Sequence, residues 1–480
     1  MATSSVGRTT INGSTTVGGF NPLSLFAAGE QGVWYDPSDL STMYQDSAGT
    51  IPVTAVEQPV GRILDKSGRG NHATQATSAN RPVLSARVNL ATYSQSLATA
   101  SAWPVGSDSL TLTNNSAPDP YGGNNATLVV EKAVTTIHFI EQSVSNGVAG
   151  LSYTMSCFFK KGTRRYVFLA HGTSGVAYCG AVFDLDGVTA TTAANSSGFT
   201  ASNAQITAVG NGWYRCSVAI TQPATTVYID IGFRQTAYTS GSIYETYTGS
   251  TSENGYWFGA DLRVTNQGVN LPPYQRVGAA TYGTSTAAGN PDYNTNGFPA
   301  YLKFDGSNDY LQVTSFSLPL IQRMTAIGFA ENAAVANQGC ISVYPATGDD
   351  YNSQTGYVFS PSNRTSARFS VVGTSGFSYQ VDWTTSPASI IPSSVLLEDK
   401  QTSAGYLRVN GAQVGSDTSF TQFSANSNGG LLLGVRWNSG AIASPYLNGR
   451  MYGVILRGAA TTANQITGTE NWLNQKTMAY

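Results

Sequence analysis

Charge is what this sequence has least of. Asp, Glu, Lys and Arg make up 11% of its 480 residues and leave a net charge of −2, where globular domains carry about a quarter. There is no run of Lys or Arg, hence no basic footprint, which argues against nucleic acid and anionic membrane as partners. Histidine is nearly as scarce. His72, His138 and His171 are the three present, none in a Gly-x-Ser-x-Gly elbow, so a serine or cysteine nucleophile has no recognisable base. The four cysteines, Cys157, Cys179, Cys216 and Cys340, show no CxxC spacing, and buried thiols in strands are expected rather than a disulfide framework or a zinc site. No stretch reaches the roughly 20 apolar residues that span a bilayer. The opening MATSSVGRTTINGSTTVGG lacks the apolar core of a signal peptide, so a soluble chain not exported by that route is expected. Neither the fixed short period of a β-helix nor a sustained heptad is present.

What is abundant is equally informative. The chain holds 51 Gly, 26 Tyr and 7 Trp among many Ser, Thr and Asn, a bias that suits β-sheets with neutral polar surfaces. Its length predicts two or three domains, each able to bury a core.

Two separated stretches organise the reading. Leu64 to Ala76 reads LDKSGRGNHATQA and is followed by NRPVL at 80–84; far downstream, residues 297–311 read GFPAYLKFDGSNDYL. The Asp305-Gly306 step between apolar flanks is a hairpin signal, since Gly accepts φ > 0. Together the stretches resemble the opening of concanavalin A-like (laminin G-type) jelly rolls of phage and prophage proteins, in which the two halves lie close in sequence. The resemblance implies an all-β fold: a concanavalin A-like jelly-roll sandwich split by an inserted second β-sandwich. It also implies a virion surface protein of fibre type, and no particular ligand.

In chain order, residues 1–30 are expected to be an attachment segment to other virion proteins or a floppy tail. Residues 31–86 are the first part of the lectin-like sandwich. Residues 87–270, with NGWYRCSV and GYWFGADLRV, resemble a carbohydrate-binding-module-like jelly roll of phage tail proteins. Residues 271–297, rich in Pro, Gly and Ala, read as a connector, and residues 298–480 complete the sandwich. Asn410-Gly411 and Asn448-Gly449 both carry the type I′ hairpin signature. A short C-terminal helix is expected where Thr462/Gln465 and Thr467/Glu470 fit the capping box and Ile466 and Leu473 share a face, although Gly468 weakens it. The competing layout is beads on a string, with residues 31–86 packed on the insert.

Glycan hydrolysis needs two facing carboxylates, which enzymes of the lectin/glucanase fold carry as Glu-x-Asp-x-Glu. No such triplet occurs. Asp184 with Asp186 reads as a hairpin turn, Asp349-Asp350 as a loop, and Glu398-Asp399 as strand neighbours on opposite faces; no catalytic residue is assigned and no cofactor is implied. Asp305, Asn308 and Asp309 could offer oxygens to Ca²⁺, but calcium takes six to eight ligands, and a turn whose Asp and Asn side chains bond to backbone explains them as well; no metal site is assigned. Sugar rings stack on aromatic faces. The candidates are Trp213, Tyr214 and Trp257 in the insert and Tyr351, Tyr357, Tyr379, Trp383 and Trp437 in the lectin-like part, with core burial as the competing reading for each. The resemblance thus implies a virion-surface structural protein and, since phage fibres are commonly threefold, a homo-oligomer expected to be a trimer; the missing carboxylate triplet and the aromatic residues add the expectation that it binds host surface glycans without catalysis. The alternatives are a capsid decoration or head-fibre protein attached through residues 1–30, and a glycan-degrading fibre.

Overall fold

The computed structural model describes residues 10–11, 14–15, 20–144, 150–173, 177–195, 197–223, 226–264, 273–278, 293–319, 322–331, 338–345, 357–362, 366–372, 378–383, 393–400, 404–417 and 429–477, with little more than backbone for the strands between 357 and 400. These residues fall into two compact units. The first holds the described residues up to Ala86 and from Phe298 onward; the second holds the described residues between them.

The first unit is a sandwich of an eight-stranded and a nine-stranded antiparallel sheet, counted over the described residues. Its central strands are buried on both faces. Ile341, Val343, Leu431, Leu433 and Leu311 are fully buried, on three strands whose pairing also sets Ser342 and Gln312 opposite Leu432, as a period of two requires. Both halves of the chain contribute to each sheet. Val83–Ser85 pairs with Tyr301–Asp305, Leu84 lying opposite Leu302, Gly32–Tyr35 pairs with Asn448–Arg457, and Thr74 faces Gln312 in the other sheet. The split sandwich predicted from sequence is therefore the fold of this chain, and the beads-on-a-string layout is not.

The Asp65 carboxylate explains why the first stretch has its sequence. Its Oδ1 accepts the Trp34 and Ser67 amides, both at 2.9 Å, and its Oδ2 accepts Ser67 Oγ at 2.7 Å and the Asn71 amide at 3.1 Å. Asn71 Nδ2 donates to Gly32 O at 2.8 Å, and His72 Nδ1 accepts the Asp65 amide at 3.0 Å. One carboxylate fixes a turn whose Gly68 and Gly70 take φ of 80° and 76°.

Four readings are corrected. Asp305-Gly306 is a tight turn, with Gly306 at φ 79°, but it is not a hairpin: Tyr301–Asp305 lies in the eight-stranded sheet and Leu311–Val313 in the nine-stranded one, so it carries the chain between layers. Asn448-Gly449 is no turn either. It opens the strand Asn448–Arg457, paired on one side with Asp305 and Phe304 and on the other with Glu331, and a central ladder leaves no room for a reversal; Asn410-Gly411 does turn, with φ of 47° and 79°. Residues from Phe20 onward belong to the sandwich rather than to a tail, because the 3-10 helix Pro22–Phe26 buries Leu25 and Phe26 in one cluster with Trp34, Trp472 and Leu473. The connector is likewise partly structural, since Tyr274 to Val277 pack into the second unit.

The helix Ala463–Thr477 is where it was expected. Its first capping box is complete, the Thr462 amide donating to Gln465 Oε1 at 2.9 Å and the Gln465 amide to Thr462 Oγ1 at 3.3 Å; Thr467 and Glu470 lie inside the helix and do not cap it. Gly468 is tolerated because Phe20 lies against it, where a Cβ would come within 2.4 Å of the ring.

The second unit is also a sandwich, of a five-stranded and a six-stranded sheet. Its entry and exit are stitched together. Gln275 Oε1 accepts the amides of Val88 and Asn89 at 2.7 and 2.9 Å, and Asn89 Nδ2 donates to Ala260 O and Gln275 O at 3.0 and 2.9 Å. Neighbouring ends make an insertion tolerable at a loop tip. Replacing residues 88–292 with a short Gly-Ser linker is therefore expected to leave a soluble β-protein with one cooperative thermal transition by circular dichroism. A product without a cooperative transition would contradict the split-sandwich account.

Candidate functional site

The six-stranded sheet of the second unit presents the site. Along Ser152–Lys161, Tyr153, Met155, Cys157 and Phe159 are fully buried, Cys157 lying opposite Cys216 and Met155 opposite Val218 and Leu262, which makes this the core face. The alternate residues belong to the outer face. There Phe158 lies opposite Arg215 and Phe258, and Ser156 opposite Ser217 and Asp261. A bulge interrupts the ladder between Ser156 and Phe158. Gly259 beside it has φ 68°, and a Cβ there would stand 3.0 Å from the Phe158 ring and 3.3 Å from Tyr274, so only glycine fits.

On this face Phe158, Trp213, Phe258 and Tyr274 pack with Ala126 into an apolar nest. Phe158 and Phe258 lie 5.9 Å apart, and Tyr274 stands edge-on to both at 5.9 and 5.7 Å. Tyr121 rests on the nest, 5.8 Å from Phe158, 6.2 Å from Phe258 and 6.3 Å from Tyr274, yet is 66% exposed. It belongs to the loop between Leu110–Ala117 and Ala126–Glu131, which Asp119 organises: Oδ1 accepts the amides of Tyr121 and Gly123 at 2.8 and 3.2 Å, and Oδ2 accepts Asn125 Nδ2 at 2.7 Å. Trp213 Nε1 donates to Pro118 O at 3.2 Å and ties the same loop to the sheet.

A polar band adjoins the rings. The Arg215 guanidinium lies 5.4 Å from the Phe158 ring centre, and its Nη2 donates to Ser156 Oγ at 3.2 Å. Arg263 clamps Asp261 through two nitrogens and also donates to Pro273 O at 3.0 Å. Burial draws Arg215 below the usual guanidinium range, with Asp261 opposing that shift, and burial pushes the Tyr121 hydroxyl up, with Arg215 opposing. An exposed aromatic ring over an apolar floor, rimmed by a guanidinium and hydroxyls, can hold a ring-shaped polar ligand by its apolar face.

The residues singled out from sequence are dispersed. Trp213 and Trp257 are corrected to core positions, 1% and 0% exposed. Trp213 floors the nest from within, and Trp257 packs between Phe233 at 4.8 Å and Phe159 at 6.1 Å, so neither offers a face to a ligand. Tyr214 is half-buried opposite Phe159, off the site's face. In the first unit Trp437 is half-buried and stacks on Tyr344 at 4.2 Å, whose hydroxyl accepts Gln312 Nε2 at 2.6 Å. Tyr351 lies outside the described residues. Tyr357, Tyr379 and Trp383 lie in strands described by their backbone alone. Sequence reading missed Tyr121, whose signal was an aromatic residue in the Asp-Pro-Tyr-Gly-Gly turn at 119–123.

The titratable groups weighed for chemistry serve the fold. His171 Nδ1 accepts the Tyr228 amide at 2.8 Å, and burial holds the imidazole down to about 4; His138 stacks on Tyr247 at 4.4 Å. All four cysteines are buried, and burial pushes the Cys157 thiol up to about 12. Asp184 caps its turn and is held bidentately by Arg165 at 2.7 and 2.6 Å. At the interlayer turn, Asp305 Oδ1 accepts the amides of Ser307 and Asn308 and Asp309 Oδ2 that of Asp305, so those oxygens are engaged by backbone. Burial, then Asp305, push the Asp309 carboxyl up to about 7. Among the described residues no group of three or more His, Cys, Asp or Glu could hold a metal ion. Asp349 and Asp350 lie outside them.

No protein family matches this sequence, and no curated protein does. Parts of the chain are similar to solved structures. One is the CBM40 of the Ruminococcus gnavus IT-sialidase bound to alpha2,3 sialyllactose, with 19% identity over 32% of this chain and 83% of that one and a TM-score of 0.28. Another is the binding domain of Paraclostridial Mosquitocidal Protein 1, with 10% identity over 38% and 44% and a TM-score of 0.27. A third is the botulinum neurotoxin serotype G binding domain, with 11% identity over 38% and 44% and a TM-score of 0.29.

Because Asp119 supplies the acceptors that shape the Tyr121 loop, Asp119→Ala is expected to cost about 2 kcal/mol, the range for losing charged hydrogen bonds. Chemical denaturation of the full chain measures it; a change within about 0.5 kcal/mol, the range of a neutral surface substitution, would contradict the role given to Asp119.

Proposed function

We propose that this chain binds host surface glycans without cleaving them, as a virion surface protein of fibre type. The single observation that carries the glycan reading is Tyr121, two-thirds exposed on a buried aromatic nest beside Arg215. A pyranose laid on that ring buries its C–H face while its hydroxyls meet the guanidinium and the tyrosine hydroxyl. The virion setting is supported by the likeness of the LDKSGRGNHATQA and FDGSNDYL stretches to phage and prophage fibre-type proteins, which also supports a trimer, since such fibres are commonly threefold. A capsid decoration protein attached through the residues before Phe20 shares every feature of this reading except location. Cleavage is disfavoured because, among the described residues, the carboxylates at the site are already engaged, Asp261 by Arg263 and Asp119 by the amides of its own loop.

With an oligosaccharide from the host polysaccharide, calorimetry on the full chain is expected to show Tyr121→Ala binding at least about tenfold more weakly, or about 1.4 kcal/mol, and Tyr121→Phe much less affected. Reducing ends are not expected to accumulate during incubation with the polymer. Unchanged affinity in Tyr121→Ala would remove the site, and steady release of reducing ends would remove the non-catalytic reading.

A further inference from the structure

On the outer face of the five-stranded sheet, the strands His138–Val144 and Val227–Arg234 place two carboxyl groups side by side, Glu141 directly opposite Asp230. Asp230 is 1% exposed while Glu141 is half-buried. What covers Asp230 is the segment from Gln235 to Glu245, which crosses this face as a strap. Ile243 and Tyr244 wedge beneath it, fully buried or nearly so, into a cluster with Phe139, Phe168, Tyr178 and Val182. Tyr244 stands edge-on to Phe168 at 5.5 Å and to Tyr178 at 5.7 Å, and its hydroxyl donates to Asp230 Oδ2. Asp230 Oδ1 is buried with no fixed hydrogen-bond partner, the place where an acid proton directed at Glu141 would sit.

We propose that a proton shared between Asp230 and Glu141 latches this strap, and that losing the proton lifts it. Two ionised carboxylates side by side cannot both be kept dry. When the proton leaves for solvent, the new Asp230 anion gains hydration only if Tyr244 and the strap move away, which uncovers Phe139, Phe168, Tyr178 and Val182. The other fastenings do not counter this. Arg234 holds the strap through Ser242 O and Ile243 O at 2.8 and 2.6 Å, and Glu245 accepts the Gln235 and Thr236 amides at 2.8 and 3.1 Å; these fasten the chain on either side of Tyr244, and none of them bonds to the carboxyl pair. Tyr178 donates to Gly241 O at 2.6 Å. Of the neighbouring strands, His138–Val144 brings Glu141 to Asp230, Tyr166–Thr173 brings Ala170, which does not titrate, and Ala177–Asp184 brings Tyr178 and Cys179 to Tyr244. The charged and titratable groups that act on Asp230 itself are Tyr244 and Glu141, and neither is a cation.

The direction agrees with this geometry. Burial first, then Glu141, hold the Asp230 carboxyl well above the usual carboxylate range, and burial raises Glu141 as well. The closed form therefore keeps a proton that an opened strap sheds from about pH 4 upward, so closure is tightest in acid and weakens as pH rises toward the closed-state value.

Hydrogen exchange of the full chain, read by mass spectrometry and corrected for intrinsic amide rates, tests the latch. Exchange in residues 235–245 is expected to rise at least about tenfold between about pH 5 and pH 9 relative to the strand Tyr166–Thr173, as local opening would give. In Asp230→Asn, whose amide can accept from Tyr244 and donate to Glu141 at every pH, the rise should vanish. Equal corrected exchange at both pH values, or the same rise in Asp230→Asn, would overturn the latch. If that variant does not fold, Glu141→Gln serves: without its proton-accepting partner the rise should fall to about half or less, and a rise of full size would overturn the proposal equally.

Discussion

The ladder between Val83–Ser85 and Tyr301–Asp305 is the constraint on which the rest depends. A β-strand with an unpaired edge and a buried face is not stable by itself, so the first part of the chain stays unfinished until Leu302 arrives opposite Leu84. Gln75 donates to Tyr310 O across 235 positions of sequence. Such closure is entropically affordable because its cost grows only with the logarithm of loop length, and because the insert brings its own ends together through Asn89 and Gln275.

The same constraint shapes what could be read from sequence. The Asp65 stretch was legible because its glycines, Ser67 and Asn71 each answer a local demand of one carboxylate, and so was the helix start at Thr462, a reciprocal pair of local bonds. Where a residue's partner is distant, local signals mislead. Asp305-Gly306 announces a tight turn correctly but says nothing about which sheet receives the next strand, and Asn448-Gly449 has a hairpin's composition while two neighbours hold it in a ladder. The insert boundary misled for the same reason: Tyr274 and Gln275 look like connector until their partners, Phe158 and Asn89, are in place.

The site was the least legible part. Composition shows many aromatic rings without showing which face solvent. Trp213 and Tyr121 serve one site from opposite sides, one sealed beneath the nest and bonded to Pro118, the other displayed upon it, and no short motif encodes the difference. Arg215 was equally hidden, since its role follows from lying opposite Phe158 across a ladder. The Asp230 and Glu141 pair is the same lesson in charge: far apart in sequence, apposed by register, and sealed by a strap whose Tyr244 has no sequence signature.

The central claim is that the ligand lies on Tyr121. Hydroxyl-radical footprinting of the full chain, with and without host polysaccharide fragments, tests it most directly, because among the aromatic residues whose side chains are described Tyr121 is the large exposed one. The account predicts that saccharide lowers the oxidation of Tyr121 while other oxidised positions of the insert stay unchanged. Oxidation of Tyr121 that is indifferent to saturating saccharide, with protection appearing elsewhere, would contradict it.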